Sequence, residues 1–546
     1  MGKKDGGYES VEEIQAFHST LVSTFRTGRT KDIAWRKWQL KQLWWLVEEN
    51  EQAIVDAIKS DLNRPGFETY LTDLAGIRKD ILYHLENIDA WAADEILGDS
   101  FIARRLGVAR IRKEPLGVVL IIGAWNFPVL LVLQPLIAAI TAGCCAIIKP
   151  SELTTACQTL LRDLVTQYLD PTAIRVVCGG VDETAKLLEL PFNHIFFTGS
   201  ASVGRHISAA AANHLTPVTL ELGGQSPAIV GKSADLDRAA KTIAFSKFLN
   251  AGQICLAVNH VFVDPAVHDT FVEKLKHWSG QFLHGERKLT TAIVNQRHQA
   301  RLSGLLQQTK GKVVCGGGES DELCRMEPTV VTDLDMNGKL PPNEFHSSDL
   351  NLKHSSRPVA RRRIIWSYLP CSKIGRPPGV SNNQWVNLPF LLLETPCLLA
   401  DRKDNPLALY IFSSDKSEIQ ESGVTINDVI LHAGFPDAPF GGVGGSGHGY
   451  YHGPYGFQTF SHLRTIMCPP KWFDRLLAFR YPPYSATNKA KMPKTKATFK
   501  RNETIQDQRL KKSGFPVFKV ATGVALFGIF WYSCSYGNEG FYAFKI

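Results

Sequence analysis

The chain has 546 residues, more than one simple domain needs, and 44% of them are hydrophobic. A mean hydropathy of -0.09 excludes a polytopic membrane protein, and the unpaired spacing of the eleven cysteines argues against a disulfide framework and for a reducing compartment. The net charge is +9. Residues 485–512 carry nine Lys or Arg and two acids, and residues 353–376 carry seven Lys or Arg and no acids, so the rest of the chain is mildly acidic. A mildly acidic body does not suit the binding of nucleic acid.

The first elements in chain order are helical. Apolar residues recur at helical spacing within residues 8–97, as in RKWQLKQLWWLVEENEQAIVDAIKSDL. From about residue 115 the pattern changes to short β-rich runs, LGVVLIIGAWNFP, CCAIIKPSE and HIFFTGS, with helical stretches between them. This alternation predicts a parallel sheet covered by helices on both faces, with its ligand at the carboxyl ends of the strands.

A second α/β region is predicted from about residue 222, and the stretch FGGVGGSGHGYYHGPYG predicts a glycine-rich loop. Residues 338–403 show no sustained period of either kind, and a run of that length counts against a simple folded interpretation. Two explanations stay open for this segment, a disordered insertion or a non-native translated stretch such as an intron. Residues 469–512 predict a polar, basic linker.

The last apolar stretch predicts a membrane tail. Residues 515–532, FPVFKVATGVALFGIFWY, carry one charge, Lys519. As a helix they would span ~27 Å, close to the ~30 Å of a bilayer core. Trp531 and Tyr532 suit the interfacial aromatic belt, and the preceding basic run suits an anionic cytoplasmic leaflet. The alternative is an amphipathic or core-docking helix.

Three residues carry the chemistry expected of a catalytic site. Cys255 follows the turn NAGQ, which could hold a reactive thiol at an open site, although a packed, unreactive cysteine is the more common case for such a residue taken alone. Glu221 lies between leucines in TLELGGQSPAIV, where burial is costly, so a general base or a buried ion pair would explain it. Asn126 in GAWNFP could donate to an oxyanion, or serve only the turn before Phe-Pro.

Two shorter motifs indicate a nucleotide site, and we predict no metal site. FFTGSASVG places Gly199 and Gly204 after a strand. It is neither G-x-G-x-x-G nor a P-loop, but it could set a helix N-terminus against a phosphate. KPSE places Lys149 and Glu152 at the end of another β-run, where the carboxylate could accept from ribose hydroxyls and the lysine could lie beside them. A solvated loop is the alternative for KPSE.

In this order, the motifs PLGVVLIIGAWNFP, KPSE, FTGSASVG, LELGGQSP, NAGQIC and FGGVGGSGHGYYHG resemble those of the aldehyde dehydrogenase superfamily, over about residues 10–335 and 404–467. The nearest branch is the class 3, fatty aldehyde dehydrogenase type, which often ends in a membrane tail. The basic linker and FRYPPYS are similar to fungal members. The resemblance implies an α/β aldehyde dehydrogenase fold with a Rossmann-like NAD-binding domain, an α/β catalytic domain, a small oligomerisation arm and a C-terminal transmembrane helix.

The implied domains follow the chain. They are an NAD-binding domain at 1–221 with a bridging arm near 97–114, a catalytic domain at 222–430 interrupted at 338–403, a C-terminal loop and oligomerisation arm at 431–468, a basic linker at 469–512 and a membrane tail at 513–546.

The resemblance also implies residue roles. Cys255 resembles the nucleophile, Glu221 the base that activates water, and Asn126, with the backbone N–H of Cys255, the oxyanion hole. Lys149 and Glu152 resemble the adenosine-ribose contacts. The cofactor turn is matched by a further four residues: Gly199, Ser200, Val203 and Gly204.

The implied activity is oxidation of medium- or long-chain fatty aldehydes to carboxylic acids through a cysteine thiohemiacetal and thioester. NAD is the expected cofactor, with NADP as the alternative. The implied partners are an aldehyde substrate, a membrane and a second copy in a homodimer, with no nucleic acid. The protein would face the cytosol from the endoplasmic reticulum, the mitochondrial outer membrane or a lipid droplet.

One departure concerns Glu344. The register places it at the glutamate of the family's Glu-x-Phe-Gly-Pro stretch, which holds the nicotinamide ribose, but the sequence there is NEFHSSD. The missing pattern leaves a second interpretation open, an impaired or non-catalytic aldehyde-dehydrogenase-like protein that binds a nucleotide or a partner.

Overall fold

The protein is described here by a computed structural model covering residues 7–97, 109–283, 290–309, 311–318, 324–333, 406–415 and 425–484 except 477, with the backbone of 368–373 and the isolated positions 487, 501 and 505. Residues 1–468 form one compact unit and residues 469–546 a second. The described part of the second unit holds a short helix, Phe473–Leu476, and a 3-10 turn, Ala478–Arg480.

Helices open the first unit, as the apolar spacing predicts. They are α1 Val11–Arg26, α2 Ile33–Glu49, α3 Glu51–Leu62, α4 Gly66–Thr69 and α5 Ala75–Ala92, the last two joined by a π-helical turn at Tyr70–Leu74. A capping box starts α1, because Ser10 Oγ accepts from the Glu13 N–H and the Glu13 carboxylate accepts from the Ser10 N–H. Two strands follow, β1 Glu95–Ile96 and β2 Ala109–Pro115.

The predicted parallel sheet is confirmed. Its strands are β3 Val118–Ile122, β4 Cys145–Lys149, β5 Ile174–Val176, β6 His194–Gly199 and β7 Val218–Leu222, in the order β7-β6-β3-β4-β5. The helices that follow strands of this sheet are α6 Leu130–Ala142, α7 Thr155–Tyr168, α8 Val181–Leu188 and α9 Ala201–Ala212. Every residue of β3 and β4 is buried, as expected for parallel strands covered on both faces.

The second sheet has seven strands. They are β8 Pro227–Val230, β9 His260–Val263, β10 Lys312–Cys315, β11 Thr329–Thr332, β12 Tyr368–Lys373, β13 Tyr410–Phe412 and β14 Thr425–Ile426. The order is β10-β11-β12-β9-β8-β13-β14, and only β10 is antiparallel to its neighbour. Three helices accompany this sheet, α10 Leu236–Phe248, α11 His268–Leu283 and α12 Gln296–Gln308.

Strand β12 corrects the prediction that residues 338–403 lack regular structure. It pairs in parallel with β11, where Val331 faces Pro370, and with β9, where Val261 faces Cys371. A proline disfavours a central strand, so the local pattern did not reveal it. The rest of the segment, residues 338–367 and 374–403, lies outside the described residues and includes Glu344.

The glycine-rich stretch that was predicted to be a loop contains regular elements. It holds a 3-10 turn at Gly444–Ser446, a two-residue strand, β15 Gly447–His448, and the start of helix α13, Gly453–Thr459. Strand β15 adds antiparallel to β7 at the edge of the first sheet. The final strand, β16 Ser461–Met467, pairs with β2 along its whole length, and β1, β2 and β16 form a separate antiparallel sheet.

Each large sheet has its own hydrophobic core. One core joins β3 and β4 to the N-terminal helices, and the other joins β8, β9 and β13 to α10 and α11. Among the residues that the structure describes, no helix has the length and apolar character needed to cross a bilayer. The predicted tail at 513–546 lies outside those residues.

Candidate active site

Cys255 follows a tightly wound turn in the connection from helix α10 to strand β9. Helix α10 is followed by the 3-10 turn Leu249–Gly252, in which Asn250, Ala251 and Gly252 have φ values of 52°, 51° and 70°. Asn and Gly adopt this left-handed conformation readily, whereas Ala251 adopts it at a cost in strain. The turn redirects the chain, so that the partly buried Cys255 lies beyond the end of the helix.

The Gln253 side chain holds this turn from inside the protein. Its amide nitrogen donates to the carbonyl oxygens of Asn250 at 3.1 Å and Ala292 at 2.9 Å, and its oxygen accepts from the Val294 N–H at 3.1 Å. Gln253 is buried, so a loss of these bonds would leave polar groups without partners. The cysteine turn is therefore tied to the segment that leads into α12.

Two hydroxyl groups hold the backbone of Cys255 and of the residue that follows it. Ser226 Oγ donates to the Cys255 carbonyl at 3.3 Å, and the Tyr410 hydroxyl donates to the Leu256 carbonyl at 2.8 Å. Burial raises the pKa of the Cys255 thiol, and the backbone N–H groups of Cys255 and Leu256 oppose part of that rise. Backbone donors thus surround the position where charge develops when this sulfur reacts.

Asn126 lies beside the cysteine turn. The residue follows β3, and its side-chain nitrogen donates to the Gln253 carbonyl at 3.0 Å. A carboxamide nitrogen carries two hydrogens, and this bond occupies only one of them. The geometry therefore brings Asn126 to the same turn as Cys255, and within the described part of the chain the second hydrogen of its amide is left for a ligand.

Glu221 lies near the end of β7 and is 4% exposed. Neither of its carboxylate oxygens has a hydrogen-bond partner among the described residues, which excludes the buried ion pair within that part of the chain. Burial raises the pKa of Glu221 well above its ordinary value. An unpartnered buried carboxylate is costly to keep, and a raised pKa suits a general base.

The glycine-rich stretch covers the strand that carries Glu221. Gly447 pairs directly with Glu221, and its φ is 124°. A Cβ added at Gly447 would lie 1.8 Å from the Leu220 carbonyl oxygen, so only glycine permits this approach. The stretch thereby covers the edge of β7 at Glu221.

Cys255 and Glu221 interact electrostatically. Burial raises the pKa of the Cys255 thiol to about 12, and the nearby Glu221 carboxylate adds to the rise. The resting side chain is therefore a thiol at neutral pH, and its proton must leave when the sulfur attacks. Tyr451 is buried near both groups. Burial raises its pKa, and the charges of Glu221 and Cys255 add to the rise.

The carboxyl end of β4 carries the first predicted nucleotide motif. Lys149 and Glu152 form an ion pair at 2.7 Å. The Lys149 side chain is 4% exposed and that of Glu152 is 25% exposed, so the carboxylate is the group that a ligand would meet. A carboxylate at this position can accept hydrogen bonds from ribose hydroxyls, whereas it would repel a phosphate.

The second motif connects β6 to α9. Ser200 caps the helix, since its Oγ accepts from the Val203 N–H at 3.3 Å. A Cβ at Gly199 would lie 2.4 Å from the Phe197 ring, and one at Gly204 would lie 3.1 Å from the Leu222 side chain. Both glycines allow close packing at a helix N-terminus, where backbone N–H groups attract phosphate. Together with Glu152 these residues fit a dinucleotide.

Two site features were not predicted from the sequence. The Tyr410 hydroxyl bonds the backbone beside Cys255, but it lies 154 residues from its partner Leu256. Tyr451 is near enough to Glu221 for that charge to affect its pKa, but it lies within an expected loop. No local spacing marks either residue. The one signal available was the pair of tyrosines in GYYHG, which is unusual inside a glycine-rich loop.

Comparison with known proteins agrees with this geometry. Residues 8–346 match the model of the aldehyde dehydrogenase family. Beta-apo-4'-carotenal oxygenase of Neurospora crassa is 38% identical over 87% of this chain and 84% of its own. The dimeric NADP-preferring aldehyde dehydrogenase of Canis lupus familiaris is 36% identical over 84% and 96%, and aldehyde dehydrogenase family 3 member A2 of Rattus norvegicus is 37% identical over 85% and 90%.

Solved structures agree as well. The substrate-bound state of AldH from Staphylococcus aureus superposes with a TM-score of 0.73 at 32% identity, covering 86% of this chain and 99% of that one. The fold, the arrangement of Cys255 with Glu221 and Asn126, and the sequence matches thus lead to one conclusion. The chain belongs to the aldehyde dehydrogenase family, oxidoreductases that use NAD or NADP.

Proposed function

We propose that this chain oxidises medium- and long-chain fatty aldehydes to carboxylic acids, with Cys255 as nucleophile, Glu221 as general base and Asn126 as oxyanion donor. The observation that carries the proposal is Glu221, a buried carboxylate without a partner among the described residues, close to a thiol whose pKa it raises. A structural role alone would not explain the cost of such a group.

The chemistry follows from these positions. The Cys255 sulfur adds to the aldehyde carbon and its thiol proton goes to solvent, while the carbonyl oxygen becomes an oxyanion. The free hydrogen of the Asn126 amide and the backbone N–H of Cys255 stabilise that oxyanion. Bound NAD or NADP would accept the hydride that leaves this carbon, so that a thioester remains on Cys255. Glu221 then removes a proton from water, whose oxygen attacks the thioester carbon and releases the acid with the Cys255 thiol.

The residues proposed to hold the cofactor are Lys149 and Glu152 for the adenosine ribose and the α9 N-terminus, from Gly199 to Gly204, for the phosphates. Glu344 would contact the nicotinamide ribose by sequence register alone. We assign residues 1–221 to cofactor binding, 222–430 to catalysis and 431–468 to a C-terminal loop and oligomerisation arm. The division is supported by the two sheets, whose strands fall mainly on either side of residue 222.

The activity test uses purified full-length protein, NAD, a long-chain aldehyde and absorbance at the NADH band. We expect a steady rise that depends on both substrates. A second candidate function is a non-catalytic nucleotide-binding protein, which the missing Phe-Gly-Pro after Glu344 favours. Tight NAD binding without NADH formation from any aldehyde chain length would support that candidate and contradict the first.

We expect a preference for NAD over NADP that depends on Glu152. The partly exposed Glu152 carboxylate would repel a 2′-phosphate, whereas Lys149 is buried and already paired with Glu152. Glu152→Gln should shift the ratio of kcat/KM values toward NADP by about tenfold, roughly 1.4 kcal/mol. Glu189→Gln is the matched control, because Lys186 and Glu189 form an ion pair at 2.8 Å with the same spacing. A wild-type preference for NADP would contradict this assignment.

Membrane attachment is proposed for the C-terminal tail, with the enzyme on the cytosolic side and in a homodimer. The support is the apolar composition of residues 515–532 with its basic flank, and one similar protein is named as dimeric. A second relative is named for a carotenal, a long apolar aldehyde that partitions into lipid, which favours apolar substrates. The enzyme would be attached to the endoplasmic reticulum, the mitochondrial outer membrane or a lipid droplet.

Deletion of residues 513–546 should release the protein into the soluble fraction. Activity on short aldehydes should persist, because the site residues all precede residue 469. Fractionation with carbonate extraction, together with kcat on a short aldehyde, measures both. A truncated protein that still pellets after carbonate treatment would show that the anchor lies elsewhere, and loss of short-aldehyde activity would show that the tail belongs to the fold.

A further inference from the structure

Arg64 is the largest side chain that is completely buried in the described residues. It lies in the short connection between α3 and α4, far in sequence from the proposed catalytic residues. Its guanidinium donates to Asp73 at 2.8 Å, to Asn250 Oδ1 at 2.8 Å and to the carbonyl oxygen of Asn126. Its two terminal nitrogens make these bonds, whereas Nε has no hydrogen-bond partner among the described residues and has Glu68 at 4.0 Å as its nearest counter-charge. A buried arginine needs such partners, so they describe its role.

Two carboxylates compensate the buried charge. Asp73 is also fully buried, and Glu68 lies 4.0 Å from the Arg64 guanidinium. Glu68 additionally accepts from the backbone N–H of Asn250 and from the Thr291 hydroxyl, the latter at 3.1 Å. Glu68 therefore holds the cysteine turn directly, whereas Asp73 is connected to that turn through Arg64.

The contacts of Arg64 close a ring around the proposed oxyanion donor. The Asn126 carbonyl accepts from Arg64 and from Asn250 Nδ2, the latter at 2.9 Å. The Gln253 carbonyl accepts from Asn250 Nδ2 at 3.1 Å and from the Asn126 side chain at 3.0 Å. The backbone and the amide of Asn126 are thus both fixed to the turn that carries Cys255.

We propose that Arg64 is a positioning residue for the oxidation, which sets the Asn126 amide against Cys255 through the Asn126 carbonyl and the Asn250 side chain. This rests on the proposed function, in which Asn126 stabilises the oxyanion. A guanidinium donates in three directions within one plane, whereas a lysine ammonium cannot reach all three acceptors. A small displacement of an oxyanion donor costs a large factor in rate.

The test compares Arg64→Lys with wild type in the full chain. We expect the rate of the first NADH turnover with a saturating aldehyde to fall by about tenfold or more, while the Kd for NAD stays unchanged. The decisive measurement is a double-mutant cycle with Asn126→Ala. If Arg64 acts through Asn126, the loss caused by Arg64→Lys largely disappears in the Asn126→Ala background.

Arg36 supplies a matched control. It is buried as well, and it donates to the backbone carbonyls of Thr30 at 3.0 Å, Thr141 at 3.1 Å and Lys31 at 2.9 Å. Arg36→Lys makes the same chemical change without touching the ring around Asn126. We expect this variant to lose thermal stability and keep the first-turnover rate of the wild type.

Asn250→Gly keeps the proposal testable if Arg64→Lys does not fold, because glycine tolerates the left-handed φ of 52° while removing the side-chain link. It should lower the first-turnover rate in the same way. A rate loss as large in Arg36→Lys, additive losses in the cycle, or a wild-type rate in Asn250→Gly would each overturn the inference. If Asn126→Ala itself has no effect, the assigned role of Asn126 fails, whatever Arg64 does.

Discussion

Cys255→Ala should abolish aldehyde oxidation, with a loss of about 10⁴-fold or more in kcat. Without the sulfur no thiohemiacetal forms, and no other described thiol is tied to the Asn126 and Glu221 cluster. NAD affinity should be unchanged, because Cys255 lies outside the β4 and β6 motifs. Cys255→Ser should retain very little activity, since a hydroxyl is far less acidic than a thiol. The measurements are NADH formation and NAD titration on the same preparation.

Other cysteines provide the controls. Cys144 and Cys145 are completely buried, and burial raises their pKa values to about 11 and 12. Their alanine variants should lose some thermal stability through the small cavities left behind and keep kcat. Cys315 is a closer match in exposure, since it is partly buried like Cys255, and Cys315→Ala should be fully active. An active Cys255→Ala beside an inactive Cys144→Ala or Cys145→Ala would refute the assignment.

Glu221→Gln should slow hydrolysis of the thioester more than its formation. A rapid burst of NADH, close to one equivalent per site, should precede a turnover reduced by about 10²–10⁴-fold. Stopped-flow absorbance separates the two phases. If the burst itself is lost while NAD still binds, Glu221 acts before acylation and its proposed role is wrong.

The pH dependence of turnover follows from the raised pKa of Glu221. The base is active only as a carboxylate, so wild-type turnover should rise with pH through a pKa well above the ordinary glutamate value. That limb should be absent from the residual turnover of Glu221→Gln, because glutamine does not titrate. A wild-type limb that remains near the ordinary glutamate value would contradict the burial argument.

The same burial makes a prediction about stability. A raised native pKa means that the folded state binds the Glu221 proton more tightly than the unfolded chain, so this group destabilises the fold increasingly as pH rises above its unfolded pKa. Glu221→Gln should therefore raise the free energy of unfolding at pH 8 by about 1–3 kcal/mol, and the gain should vanish near pH 4. Thermal unfolding at several pH values measures it.

Asp80 is the matched control for that gain. It is buried in α5, and its Oδ1 has no hydrogen-bond partner among the described residues, with the His84 ring nitrogen 3.9 Å away. Burial raises the pKa of Asp80 to about 7. Asp80→Asn should also stabilise the protein at pH 8, but it should leave the NADH burst and the later turnover unchanged. If both variants gain stability but only Glu221→Gln loses turnover, the cost of burying a carboxylate is separated from its catalytic function.

Local sequence patterns are enough to predict the fold class and the proposed catalytic groups. Alternating β-rich and helical runs predicted the parallel sheet, because helices and strands have periods that are visible locally. Cys255, Glu221 and Asn126 were located by the short motifs around them, and Lys149 with Glu152 by KPSE. Each of these signals lies within about a dozen residues, the range over which a local pattern carries information.

The way in which those groups are held depends on contacts that form in the folded chain. Arg64 reaches Asn250 across 186 residues and Asn126 across 62, and no periodicity records such contacts. Strand β12 has an unfavourable local sequence and is identified only by its pairing with β9 and β11. Glu221 could be a base or half of an ion pair in the sequence, and packing left both its oxygens without partners in the described residues. Burial and long-range pairing arise from the folded arrangement, which is why the chain's local patterns could not specify them.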